Sequence, residues 1–314
     1  MALLTSREVG RAATSVGMSG ADLQILEALR FNGRITTQEL ADRVGLSRSV
    51  VARRLSQLLD DEVIRVVGIV HPLTLGIRSL AHVSLSVDRP VRRVADELSR
   101  LPDVPFVSLT SGSCPLIAEV RSRSDDDLAR ALDRVRSIDG VRATETLFYT
   151  KLVADVLRPS HAENVEIDAV DGRLLTLLQE NGRMAFTTLG DKVGVSTGTA
   201  RTRVLRMIDT GVVRIGAISR AGRRDTRVDV GVGLSVLGPA SSCTDLLSEM
   251  PQVRFLAETI GRYDLLATVD ADSLAEVVSV LDRLRGLKPV LHLDSWVHLS
   301  TVKESYTYPL EVLS

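Results

Sequence analysis

Apolar residues recur at helical spacing in two stretches of the chain, and the second stretch repeats the first 149 positions later without a gap. In the first, Leu23, Ile25, Leu26 and Leu29 form one buried face of a helix. Asn32-Gly33 then ends it with a pair that tolerates positive φ. Thr36 or Thr37 caps a short second helix that turns Leu40 and Val44 inward, and Gly45 allows a tight turn. Ser47 is placed to accept backbone N–H bonds as the N-cap of a third helix, whose buried stripe is Val51, Leu55 and Leu58. In the second stretch Leu175, Leu178, Asn181-Gly182-Arg183, Leu189, Val193, Gly194, Ser196, Ala200, Val204 and Met207 take the same positions. Both read as three-helix, helix-turn-helix modules.

The periodicity then changes from helical to alternating. "VIRVVGIV" from Val63 and "VVRIGAIS" from Val212 are short β-prone runs, each a small wing or a tether to the next domain. Beyond them the chain reads strand, helix, strand, strand, helix, strand: "SLAHVSLSV", Val91 to Leu101, "VPFVSLTSG", "CPLIAEV", Asp125 to Ile138 and "VRATETLFYTKLV". The same order returns from "RVDVGVGLSVL" to "LKPVLHLDSWVHLSTVK". This is the ferredoxin-like β-α-β-β-α-β pattern. The expected fold is therefore α+β: winged-type helix-turn-helix domains at 19–70 and 166–220 alternating with ferredoxin-like effector or assembly domains at 76–154 and 227–304. Residues 154–166, with Pro159, read as the linker between repeats. Such a sheet carries helices on one side only, so its open face needs a partner, within the chain or in a second chain; a homodimer of the fused chain is expected, with a monomeric pseudo-dimer as the rival.

Composition narrows the function. A chain of 314 residues with 44% hydrophobic content supports several cores, and a net charge of -1 leaves no global field for nucleic acid, so any basic surface is local. Two distant cysteines and five histidines without metal-ligand spacing argue against a zinc site or disulfide scaffold; no cofactor or metal is expected. Aromatics at 3% disfavour a stacking platform for single strands. With no long apolar run and no leader pattern, a soluble cytoplasmic setting without membrane partners is expected.

The third helix carries the chemistry. Arg48, Arg53 and Arg54 fall between Ser47 and Leu59 with no acid among them; Arg201, Arg203 and Arg206 do so between Ser196 and Ile208. An apolar face with arginines elsewhere suits a helix lying in the major groove near phosphates, its first turns at the base edges. Candidate DNA-binding residues are accordingly Ser47, Arg48, Ser49, Arg53 and Arg54 in the first module, and Ser196, Thr197, Thr199, Arg201, Arg203 and Arg206 in the second. In residues 22–65 seven arginines balance seven acids, whereas in 171–214 six arginines and one lysine exceed four acids by three. The second module is the stronger phosphate binder by charge, the first better equipped to discriminate bases. Arg54 and Arg203, shared in register beside the buried stripe, either brace the helix or contact phosphate. Taken singly, an arginine-bearing surface helix is more often just a solvated face; the paired copies favour DNA.

These features, from "NGR" and "LADRVGLS" with "LGDKVGVS" to "RRLSQLLDDEVIR" with "TRVLRMIDTGVVR", "VHPLTLG" and "GRYDLLATV", resemble the Lrp/AsnC (feast/famine) family of transcriptional regulators, in a tandem form. The resemblance implies a regulator of double-stranded DNA that responds to a small-molecule effector, such as an amino acid. It also points to Gly261, Tyr263 and Asp264 as effector-binding residues, although Gly261 equally suits a turn and Tyr263 a sheet gap. In the first repeat the corresponding positions read Gly112-Ser113-Cys114-Pro115, so that site is expected to be altered. Trp296 is expected to pack at a sheet or subunit interface. No catalytic residues are expected; the enzyme alternative is a decarboxylase acting on sirohaem-type tetrapyrroles, since some such enzymes are similar to this family's fold, and it would need histidines inside a large basic pocket.

Overall fold

The computed structural model describes residues 18–155, 165–219 and 227–305. The chain runs α1 (Gly20–Phe31), α2 (Thr37–Val44), α3 (Arg48–Asp60), β1 (Ile64–Val70), a 3-10 turn (Pro72–Leu75), β2 (Ser79–Val87), α4 (Val91–Ser99), β3 (Phe106–Thr110), β4 (Leu116–Ser122), α5 (Asp125–Arg136) and β5 (Val141–Asp155). The order then recurs as α6 (Ala169–Glu180), α7 (Phe186–Val193), α8 (Thr197–Asp209), β6 (Val213–Ser219), β7 (Val228–Val236), α9 (Ser241–Ser248), β8 (Val253–Ile260), β9 (Leu265–Ala271), α10 (Leu274–Arg285) and β10 (Val290–Glu304). Most of the expected linker, residues 156–164, lies outside the described residues.

Local chemistry explains the helix starts. Ser19 with Asp22, Thr36 with Glu39, and Asp168 with Asp171 form reciprocal capping boxes at α1, α2 and α6. Ser196 accepts the Thr199 amide at the start of α8. Its counterpart Ser47 does not act as expected: its hydroxyl meets that of Ser49 at 3.2 Å and accepts no backbone amide. Gly45 and Gly194 end α2 and α7 in the left-handed conformation at φ 71° and 78°, where a Cβ is disfavoured.

The strand after each helical module is not that module's own wing. β1 pairs antiparallel with β6 from Ile64↔Ser219 to Val70↔Val213, making a two-stranded ribbon between the modules. The two Asn-Gly-Arg triplets fasten the ribbon. The Gly33 amide donates to Ile215 O and the Gly182 amide to Val66 O, each at 2.8 Å. The Arg34 guanidinium donates to Met184 O at 2.9 Å, and that of Arg183 to Gly33 O at 2.7 Å. Asn32 and Asn181 are extended, at φ -141° and -145°, so positive φ is not the reason for these pairs. Glycine is required by approach instead: a Cβ on Gly33 would lie 2.7 Å from Val66 Cγ1, and one on Gly182 would lie 2.9 Å from the Val67 carbonyl carbon. Leu26, Leu29, Val51, Leu175, Leu178 and Val204 consequently share one continuous core.

The two β-α-β-β-α-β units solve the open-face problem inside the chain. Their eight strands close into a barrel in the order β10-β3-β4-β2-β5-β8-β9-β7. The seams are β5 with β8, including Phe148↔Ile260, and β10 with β3, including His298↔Thr110. Closure removes the sheet edges that would otherwise template association. Val83, Leu85 and Val120 face α4 and α5 outside the first sheet, and Val232, Leu234 and Ala267 face α9 and α10 outside the second. Trp296 packs at the meeting of the sheets, 5.8 Å from the His82 ring and directly over Gly231, where it takes the space of a Cβ.

Replacing Gly33 or Gly182 by alanine should destabilise the protein by about 1–3 kcal/mol through overpacking against the ribbon. Gly20→Ala, whose added Cβ meets nothing within 4 Å, serves as the control. Urea midpoints read the difference, and equal midpoints for Gly33→Ala and Gly20→Ala would refute the close-approach explanation.

Candidate nucleic-acid interface and effector seam

The starts of α3 and α8 present Ser47, Arg48, Ser49 and Arg53 on one module and Ser196, Thr197, Thr199 and Arg201 on the other, all exposed. Arg48, Arg53 and Arg201 form no ion pair with a described residue, which leaves three guanidinium forks directed to solvent. A fork that has no internal carboxylate can take a phosphate or a guanine edge without first breaking a bond.

The remaining arginines divide differently from the simplest expectation. Arg54 donates to Ser19 Oγ and Asp22 Oδ1, both at 3.0 Å. Arg203 donates to Asp168 Oδ2 at 2.6 Å and Asp171 Oδ1 at 3.0 Å, and Arg206 also donates to Asp171. The Asp171 side chain is only 1% exposed. In each module the helix that carries the reader face is thus tied back to the cap of the module's first helix. The bracing role is the one the geometry supports for Arg54 and Arg203, and Arg206 shares it. The carboxylates at positions 22, 168 and 171 were not singled out in the sequence, either as caps or as arginine anchors.

Beside the β5–β8 seam, Gly261, Tyr263 and Asp264 come together in the β8–β9 hairpin. Gly261 has φ +147° and lies against Leu147, whose Cδ2 would be 2.6 Å from an added Cβ. Tyr263 is buried over Gly233 and donates to Asp294 Oδ2 at 2.6 Å; burial and then this bond push its phenol well above the usual range. Asp264 accepts the Val236 amide at 2.8 Å, and its own amide donates to Leu234 O. Pro115, at the matching place, has no hydrogen for the latter bond. The hairpin nevertheless survives there: Thr110 Oγ1 donates to Cys114 O as Thr259 Oγ1 does to Tyr263 O. Asp264 is exposed with its carboxylate bonded to the Val236 amide, and the other charged groups near solvent at this seam are ones the sequence did not single out. Arg262 bridges Asp294 at 2.9 Å and Glu145 of the first unit at 3.5 Å, and His292 lies 3.2 Å from Asp294.

Histidines also enter the barrel. His82 is 5% exposed and meets Ser84 Oγ at 3.1 Å, while His298 meets Ser108 Oγ at 3.0 Å. Burial lowers His82 to about 4 against the partial opposition of Glu119, and burial with the nearby His82 lowers His298 to about 4. Among the described residues no cluster of three or more metal-ligating side chains occurs, and no helix is long and apolar enough to cross a membrane.

Residues 80–156 and 240–308 match the model of the Lrp/AsnC ligand binding domain, and residues 167–208 match the AsnC-type helix-turn-helix domain. Three segments of the chain thus match models of Lrp/AsnC-type domains. Residues 18–65 match a winged helix-turn-helix DNA-binding model. The chain is 29% identical over 140 residues to an uncharacterised HTH-type transcriptional regulator of Pyrococcus abyssi, covering 44% of this chain and 89% of that protein. It is 29% identical over 133 residues to the HTH-type transcriptional regulator FL11 of Pyrococcus furiosus, covering 42% and 88%. In structure, the chain matches the siroheme decarboxylase NirDL with a TM-score of 0.60 at 15% identity, over 90% of this chain and 92% of that one. At this identity the likeness is one of fold. The related sequences are regulators.

The buried histidines set an acid limit. The unfolded chain takes a proton on His82 near pH 6.5 and the folded site takes it only near 4, so stability is complete above 6.5 and is lost as pH falls through that interval. His82 accounts for a loss of up to about 3 kcal/mol. Chemical denaturation between pH 7 and 4 should show this slope, flattened in His82→Gln; an unchanged slope in the variant would assign it elsewhere.

Proposed function

We propose that the chain is a sequence-specific regulator of transcription that binds double-stranded DNA, a tandem member of the Lrp/AsnC family in which one polypeptide supplies both readers. The observation that carries this is the pair of exposed reader faces, joined by the β1–β6 ribbon and crossed glycine contacts. The share of each chain that is aligned supports the tandem reading: the regulators match over nearly their whole length but under half of this one. Because the open sheet faces meet within one chain, they no longer call for a second copy, and the single chain is the DNA-reading unit in this proposal. Light scattering at one chain mass supports it, and two chain masses would restore the homodimer.

The two faces differ, so the preferred site is two unequal half-sites at fixed spacing. Arg48 and Ser49 discriminate bases on one, while Thr197 and Thr199 allow close approach and Arg201 holds phosphate on the other. A small-molecule effector, an amino acid or a related metabolite, belongs at the β5–β8 seam, with Gly261, Tyr263 and Asp264 as its wall. Arg262 is suited to a carboxylate and Asp294 to an ammonium group.

Selection from a genomic-fragment library should return salt-dependent duplex binding. Arg201→Ala should weaken all sequences without changing the urea midpoint, whereas Arg203→Ala should lower the midpoint by about 1–3 kcal/mol equivalent. Arg48→Ala should shift site preference by about 1–3 kcal/mol per lost base contact. Repeating the assay with each amino acid present should change affinity for at least one, and Arg262→Ala should abolish that response. Absence of salt-dependent duplex binding sinks the regulator reading.

The second reading is a tetrapyrrole decarboxylase, favoured by the fold match and by His82 and His298 between the sheets. Against it, Trp296 and Tyr263 fill the space over Gly231 and Gly233, and the buried Arg121 is paired with Glu119. Mixing with an iron tetrapyrrole should therefore leave its absorbance spectrum unchanged; a shifted band would favour the enzyme.

A further inference from the structure

Every strand and helix of the first α/β unit has a counterpart 149 positions on, with β4 matching β9 and α5 matching α10 residue for residue. Side chains at matching places can therefore be compared directly. Arg121, Arg123 and Arg130 stand where the second unit has Asp270, Asp272 and Ser279, while Arg134 and Arg283 agree. One surface has thus exchanged acids for arginines between the two copies.

The second unit neutralises its acids with its own residues. Arg227 lies 3.2 Å from Asp270 and 3.1 Å from Asp272, and Arg254 lies 3.5 Å from Asp270. The first unit instead has an open cavity of about 390 Å³. Four arginines line it against two aspartates, Asp103 and Asp127, over an apolar floor of Leu75, Ile77 and Pro102. Arg130 pairs with Asp127 at 2.6 Å and Arg134 with Asp103; Arg121 is buried and pairs with Glu119, which does not line the cavity. Arg123 is exposed, acts on Asp127 through its field and reaches no carboxylate at ion-pair distance among the described residues. Each guanidinium carries five N–H donors in a planar fork, more than one carboxylate can take.

We propose that this cavity is a binding site for a small organic anion, one carrying a carboxylate or phosphate group on a short apolar body. The charged end meets Arg123, Arg130 and Arg134, and the apolar body lies on Leu75, Ile77 and Pro102. An apolar floor with a few convergent charged groups is the ordinary composition of a metabolite site, and the volume fits a small metabolite. Leu75 and Ile77 also belong to the core shared by the helical modules, so occupancy is felt where the readers join the α/β units. The site stands apart from the hairpin seam of the second unit and does not depend on the DNA-binding reading.

The test is calorimetry and thermal unfolding of the full chain with inorganic phosphate and with succinate, at ionic strength held constant with chloride. Saturable binding that raises the unfolding temperature is expected for at least one. Stronger binding of phosphate assigns a phosphate ester, and stronger binding of succinate a carboxylate. Arg123 and Arg130 are both exposed, so Arg123→Ala and Arg130→Ala should fold normally. Each should weaken binding by about tenfold or more. Arg283→Ala removes the same charge from the counterpart surface and should leave binding unchanged. No saturable binding of either anion, or an equal loss in Arg283→Ala, overturns the proposal.

Discussion

The rest of the molecule depends on the pairing of β1 with β6. Each strand leaves one helical module and runs against the other, so neither module completes its core alone. The contact is made at backbone distance, with the amides of Gly33 and Gly182 donating to the opposite strand and Arg34 and Arg183 reaching carbonyls across the interface. Side chains would hold the ribbon away from the helix ends, and the shared core from Leu26 to Val204 would open. Fixing this ribbon fixes the relation between α3 and α8. For the proposed function, two reader helices on one frame mean recognition of spacing as well as sequence.

The second closure obeys the same logic on a larger scale. Two sheets with helices on one face have two open faces and four edges between them, and the eight-stranded barrel disposes of all of these at once. The cost is a polar interior. His82 and His298 are held as neutral rings there, and Trp296 and Tyr263 fit only because Gly231 and Gly233 stand opposite them. Covalent linkage also frees the halves to diverge. Arginines in one unit stand where the other has acids, a proline stands in one hairpin where the other has an aspartate, and α8 begins threonine-glycine-threonine where α3 begins arginine-serine.

Ion pairs sort the arginines by task. Arg54, Arg203 and Arg206 are tied to the caps of α1 and α6, where a bond to a protected carboxylate holds the reader helix in place. Arg48, Arg53 and Arg201 have no such anchor and face solvent. In sequence the shared register of Arg54 and Arg203 left bracing and phosphate contact open, and Arg206 showed no anchor, since the partners lie more than thirty residues away.

The sequence by itself determined the local features. Apolar spacing of 3.6 and of 2, capping residues such as Thr36 and Ser196, and the left-handed glycines at 45 and 194 act within a turn or two. The helices, the strand order and the exposed faces of α3 and α8 were accordingly readable. What only the tertiary structure decided lies across the repeat. That β1 pairs with β6, that the glycine of each Asn-Gly-Arg triplet serves close approach and not a turn, and that Tyr263 is buried over Gly233 while Arg262 meets Asp294 and Glu145 near solvent all depend on contacts between distant segments. A duplicated pattern does not say whether its halves complete themselves, each other or a second chain, because all three choices bury the same residues. The choice rests on backbone geometry at the crossing, which no local periodicity encodes.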